Sequence, residues 1–158
     1  MSVSIDVDVR GLAEADARLA RLDPLDTAEL MEGLARLVQE QTRRRIHSEK
    51  TSPDGAAWPP NKTATSILVR SGALANSIDY AITGNTAVIG SGLIYARIHQ
   101  LGGTITPRKA KRLRFMLGGK AVFAKKVTIP ARPYLGISAA NRDELLDTVT
   151  RFITARLG

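Results

Sequence analysis

The sequence predicts an α+β fold, an antiparallel sheet with hairpins packed against N-terminal helices and a C-terminal helix. Three observations carry that expectation. The order of segments is a strand, helices, strands and a last helix; adjacent strands are joined by tight glycine turns; and the final segment has a helical apolar period. A parallel α/β sheet needs strands alternating with helices, and that alternation is missing.

From Ser2 to Val9 the residues Val3, Ile5, Val7 and Val9 alternate with Ser4, Asp6 and Asp8, the period of a half-buried strand, and Gly11 ends it. Leu12, Ala15, Leu19 and Leu22 then recur at helical spacing until Pro24 stops the pattern. A second helix begins near Asp26 or Thr27, either a suitable cap, with Leu30, Leu34, Leu37, Val38, Gln41 and Ile46 on one face. Arg43-Arg44-Arg45 falls in its last turns, where cations suit the carbonyl end of the dipole, and reads as a solvated helix end. Ser52 to Asn61 is a loop, and Trp58, the only Trp, is expected to pin it to the sheet. Leu68 to Ile78 reads as a short helix capped by Ser71, with Gly72 allowing close backbone approach and Leu74 and Ile78 inward. Tyr80–Thr83 and Ala87–Ile89 form a hairpin around Gly84-Asn85.

Ile94 to Leu101 reads as a helix with Ile94, Ile98 and Leu101 together, terminated by Gly102-Gly103. Thr104–Thr106 is a strand, Pro107 to Arg112 a basic loop, and Leu113–Leu117 and Ala121–Ile129 a second hairpin around Gly118-Gly119. Pro130-Ala131-Arg132-Pro133 is a rigid, donor-poor connector, because each proline fixes its φ and lacks an N–H. Ser138 is placed to cap a last helix whose apolar face is Leu145, Leu146, Val149, Phe152, Ile153 and Leu157. The expectation is one domain over residues 1–158, with a mobile basic hairpin near 104–128.

Charge is distributed unevenly. The chain of 158 residues has a formal charge of +8, yet residues 80–142 hold eleven Lys and Arg and no Asp or Glu. A one-signed segment attracts polyanions or an acidic protein face; it can also be a face kept positive for solubility. Cys is absent, so disulfides, thiol catalysis and Cys-based metal sites are excluded. No apolar run approaches a membrane span, and acids stand at the start where a signal peptide has a basic end, so the expectation is a soluble cytoplasmic protein with no membrane partner.

No reaction is visible. His47 and His99 are the only imidazoles, neither has a carboxylate near in sequence to orient it, and their spacing does not suit a metal. Gly118-Gly119-Lys120 departs from a phosphate loop, since Ala121 stands where Ser or Thr is needed and Arg114 where the earlier Gly is. Catalytic residues, metal ligands and cofactors are therefore all expected to be absent.

Four motifs in order resemble a known family: Ser52-Pro53-Asp54-Gly55 with Trp58-Pro59-Pro60; Ile67 to Leu74 with Ser77-Ile78; Ile89-Gly90-Ser91 leading to Tyr95–Gly103; and Ile129 to Ser138. Together they resemble the phage virion morphogenesis family, the tail-completion proteins of Mu-like and related tailed phages. The resemblance implies a structural protein of the virion tail or neck, without enzymatic activity, present in the host cytoplasm during assembly. It implies a ring of copies, with a hexamer as one size, meeting tail-tube and head-connector proteins.

On that reading the interaction residues are Arg108, Lys109, Lys111, Arg112, Arg114, Lys120, Lys125 and Lys126, facing packaged DNA without reading its sequence or an acidic partner. Trp58, Tyr95, His99 and Arg132 are expected to make core or subunit contacts, with Arg132 in an internal salt bridge. The alternative is a free-standing, non-specific nucleic-acid-binding protein, for which Phe115 and Phe123 are the only aromatics among the bases. A hydrolase with His99 as base is a further rival with no partner residues in view.

Overall fold

The structure is a computed structural model and describes residues 3–8, 27–62 and 65–157. The expected helix at Leu12–Leu22, its stop at Pro24 and the cap at Asp26 lie outside the described residues. The element order within them is mixed α+β with antiparallel pairing throughout. Strand β1 (Val3–Asp8), β2 (Ile78–Thr83) and β3 (Thr86–Ser91) form one sheet in the order β1-β3-β2. The β2–β3 hairpin turns at Gly84-Asn85, with Ile82 opposite Ala87, Tyr80 opposite Ile89 and Ile78 opposite Ser91. Along β3 the residues Ala87, Ile89 and Ser91 are buried and those between them half-buried, the period-2 mark of one covered face. The register sets Val3, Ile5 and Val7 opposite Ser91, Ile89 and Ala87.

Helix α1 (Thr27–Arg44) covers that face. Leu30, Leu34, Val38 and Gln41 follow each other at three or four residues, and Met31, Ala35 and Thr42 widen the buried stripe, while Leu37 is only half-buried. Each fully buried Leu, Ile or Val in this layer stabilises the fold by about 1.5–3 kcal/mol. The helix continues into one π-type turn, Arg45–Glu49, ending at Lys50 with φ 57°. That turn puts both Arg45 and Ile46 inside, each 0% exposed. The reading of Arg43-Arg44-Arg45 as a solvated helix end is therefore wrong at Arg45, whose position continues the buried stripe and meets carbonyls from the far end of the chain.

The expected helix at Leu68–Ile78 shrinks to a single turn, α2 (Ala73–Asn76). Leu68 at φ 59° and Gly72 at φ 71° both lie in the left-handed region and break any longer helix, and Ile78 instead begins β2. Gly72 serves that conformation and not a close approach, since a Cβ there would meet only the Asn76 side chain at 3.6 Å. Leu74 and Ile78 are buried as expected.

Helix α3 (Ala96–Leu101) is shorter than the sequence suggests, and Ile94 and Leu101 are 94% and 58% exposed instead of packed with Ile98. Its inward residue is Ala96, because a small side chain lets the Tyr134 hydroxyl reach the Ala96 carbonyl at 3.1 Å. Helix α4 (Ala139–Leu157) begins where Ser138 Oγ accepts the Asn141 N–H at 3.2 Å, a side-chain cap. Leu145, Val149 and Phe152 pack on the core, whereas Leu146 is 54% exposed and leaves the expected apolar face.

Candidate functional site: a basic arm and its anchor

Between α3 and α4 the chain leaves the sheet layer and returns. Strand β4 (Gly103–Ile105) pairs with β7 (Val127–Ile129), and β5 (Leu113–Leu117) pairs with β6 (Lys120–Ala124). These are two separate ribbons, each hydrogen-bonded only within itself. The expected strand Ala121–Ile129 is thus two strands, divided at Lys125-Lys126. The break follows from unequal spans, seven residues from Thr106 to Arg112 facing two on the return.

That inequality gathers charge. Arg108, Lys109, Lys111 and Arg112 sit on the long span and Lys125 and Lys126 on the short one, so six cations lie on the two stretches that join the ribbons. Arg114 lies on β5 and Lys120 opens β6. All eight are exposed, and none takes part in an ion pair among the described residues. Among the described residues six acids are engaged: Glu32 with Arg36, Glu40 with Arg43, Glu49 and Glu144 with Arg44, Asp147 with Arg151 and Glu29 with Arg156. Hydrogen bonds from Tyr80 and Arg36 hold the Glu32 carboxyl below its usual range, and those from Gln41 and Arg44 do the same for Glu144.

Both ends of the arm are fixed. At its entrance Gly102 has φ 70° and its backbone lies against Ala131, and Gly103 pairs with Ile129 at the exit. The connector that follows has no strand partner, so side chains satisfy its backbone. Gln100 Oε1 accepts the Tyr134 and Leu135 N–H groups at 2.9 and 3.0 Å, and its amide donates to the Leu135 carbonyl at 3.2 Å. Trp58 Nε1 donates to the Pro133 carbonyl at 3.1 Å, so the tryptophan ties its loop to the connector while its side chain lies in the core cluster. Arg45 donates to the Tyr134 and Gly136 carbonyls at 3.0 and 2.7 Å and to Asn141 Oδ1. Burial pushes the Tyr134 hydroxyl up to about 12.

Arg132 is internal but makes no salt bridge among the described residues. Its guanidinium donates to the Pro59 carbonyl at 2.9 and 2.8 Å and to the Pro60 carbonyl at 3.2 Å, supplying donors to carbonyls that lie in no strand or helix. The Arg132 N–H reaches the His99 carbonyl at 2.8 Å. His99 is half-buried, its Nδ1 has no hydrogen-bond partner among the described residues, and its ring meets the Tyr95 ring edge-on at 5.8 Å. Desolvation first, and the Arg132 charge second, lower its pKa. The structure thus brings Trp58, His99 and Arg132 together at the anchor, with Tyr95 at its rim. Gln100, Tyr134, Arg45 and Asn141 complete it. The sequence reading assigned them no such role, although Gln41 and Arg45 recurring on an otherwise apolar stripe were the available signal.

Three of the four motifs scattered along the sequence converge here: the Ser52–Gly55 turn lies under Gly136, Trp58-Pro59-Pro60 meets Arg132 and Pro133, and Gln100 to Gly102 meets residues 131–135. The pattern of the phage virion morphogenesis family matches residues 7–154. The chain belongs to that family. It is also similar to "Putative capsid assembly protein G" of Escherichia phage Mu, at 29% identity over 175 aligned residues, covering 99% of this chain and 97% of that protein. No solved structure matches it. The family member described here has a structural role in phage particle assembly. Among the described residues no three His, Asp or Glu side chains are grouped to hold a metal, and no helix is long and apolar enough to cross a membrane.

Proposed function

We propose that this protein acts in tail completion or head–tail joining, as a closed ring of copies that meets tail-tube and head-connector proteins. The observation that carries the reading is the anchored arm, whose eight cations have no acidic partner among the described residues. Charges left unpaired in the free subunit attract an oppositely charged surface at long range and fix its register on contact. A ring repeats that surface at every subunit. Facing the lumen, the cations would touch the phosphate backbone of DNA without reading bases; facing a neighbour, they would dock on an acidic virion protein.

The test is Lys109→Gln, Lys111→Gln and Arg112→Gln combined in the protein supplied to assembling particles. Heads and tails counted by electron microscopy should accumulate unjoined. Normal joining would overturn the role given to the arm. One observation favours non-specific nucleic-acid binding instead: Phe123 is 57% exposed among the cations and offers a base a ring to stack on. Salt-dependent DNA binding by the isolated monomer at physiological ionic strength is the result that reading requires.

A further inference from the structure

The β5–β6 ribbon has two unlike faces. Leu113, Phe115, Val122 and Ala124 are half-buried, whereas Arg114, Met116, Ala121 and Phe123 are all exposed. The register places Arg114 opposite Phe123 and Met116 opposite Ala121, so the exposed face is an apolar centre, Met116 and Phe123, with a guanidinium beside it. Met116 is 53% and Phe123 57% exposed. A two-stranded ribbon is marginal alone, and a phosphate backbone offers nothing apolar to cover such a centre.

Helix α4 carries the complementary pattern. Asp143, Leu146, Asp147 and Thr150 follow at i, i+3, i+4 and i+7, all exposed, with Leu146 apolar at the centre and a carboxylate on either side. Asp143 makes no ion pair among the described residues, and Asp147 pairs only with the exposed Arg151 of its own helix. The other exposed apolar patch, Ile94, Tyr95 and Leu101 around α3, has Arg97 beside it and no acid within residues 80–142, so it would set like charge against like.

We propose that the exposed face of β5–β6 in one copy docks on the outer stripe of α4 in the next. The proposal rests on the reading of the protein as a ring. Because the two surfaces differ, the contact is heterologous and repeats from copy to copy, closing into a ring where the rotation allows. Phe123 and Met116 cover Leu146, and Arg114 meets Asp143 and Asp147.

The absence of Cys makes the test direct, since introduced thiols report only the pairs placed. Full-length Phe123→Cys and Leu146→Cys chains, mixed and treated with a short thiol-to-thiol linker, should give a cross-linked dimer that neither gives alone. The doubly substituted chain should give a ladder of higher oligomers. Separately, Asp143→Lys with Asp147→Lys should raise the concentration for half-assembly about tenfold, and adding Arg114→Glu should restore it. Oligomers that form without these cross-links, Phe123→Cys chains that link to each other, or charge reversal without effect would overturn the docking and leave the ring standing. A chain that stays monomeric by mass at every concentration would overturn the ring and the docking with it.

Discussion

Gly136 has φ +146°, and a Cβ there would stand 2.3 Å from Cγ of Pro53, a ring with no rotamer to escape into. At Gly102, φ +70°, a Cβ would lie 2.7 Å from the Ala131 nitrogen. Gly84 and Gly118 have similar left-handed angles, +56° and +57°, with nothing within 4 Å. The left-handed conformation alone costs an L-residue about 1–2 kcal/mol. Gly118→Ala should therefore lower the unfolding free energy by about that much in urea titrations, and Gly102→Ala and Gly136→Ala by about 3 kcal/mol or more. Equal losses at all three would mean that the anchor is not closely packed. His99 supplies a second residue-scale prediction. Burial and Arg132 hold its pKa below the ordinary 6.5, so the unfolded chain takes up the proton first. Stability from this group is complete above pH 6.5 and falls as the pH drops below it, until the folded imidazole also titrates. In His99→Gln that acid-side decline should vanish from the profile of thermal midpoint against pH. A decline unchanged from the parent would assign it to carboxylates instead.

Elements differ in how far their neighbours are local. Both hairpins were legible because a turn glycine and alternating residues are adjacent in sequence, and the α4 cap because Ser138 precedes an apolar period. Arg45 was not legible as a core residue, since its acceptors are the carbonyls of Tyr134 and Gly136 and the Asn141 side chain. An arginine scored against its own helix reads as solvated; only the arrival of the connector makes it internal. The division of the arm at Lys125-Lys126 was hidden for a related reason, because no breaker residue marks it and the cause lies in the longer span across from it. Trp58 and Arg132 were singled out for core or subunit contacts, and their partners here are backbone carbonyls, which carry no side-chain signature. The same contrast predicts dynamics. Amides of Leu113–Ala124, in a ribbon hydrogen-bonded only to itself, should exchange with solvent much faster than those of Ile78–Ser91 under the helix layer. Equal protection in the free subunit would show that another element covers the arm.

At the scale of the whole molecule, the proposed role makes the segregation of charge a separation of assembly from stability. Acids and cations of α1 and α4 are paired within the chain, while the eight arm cations are exposed and make no ion pair among the described residues. On the proposed role, their energetic effect appears on contact with a partner, as a dependence on salt. If the ring presents them to DNA, the assembled form should bind duplexes of any sequence, with log K falling linearly against log salt. Lys109→Gln, Lys111→Gln and Arg112→Gln should each reduce that slope by about 0.9 for every phosphate contact removed. If the partner is instead an acidic virion protein, the triple variant should leave the DNA slope unchanged and slow association with tail tubes in a salt-dependent way. The decisive comparison is between states of assembly at one salt concentration. Oligomer that binds DNA far more tightly than monomer supports a lumen lined by these arms, because adjacent copies present their cations at high effective concentration. Monomer that binds as tightly per subunit as oligomer would make the ring irrelevant to the contact and return the protein to the class of free-standing basic binders.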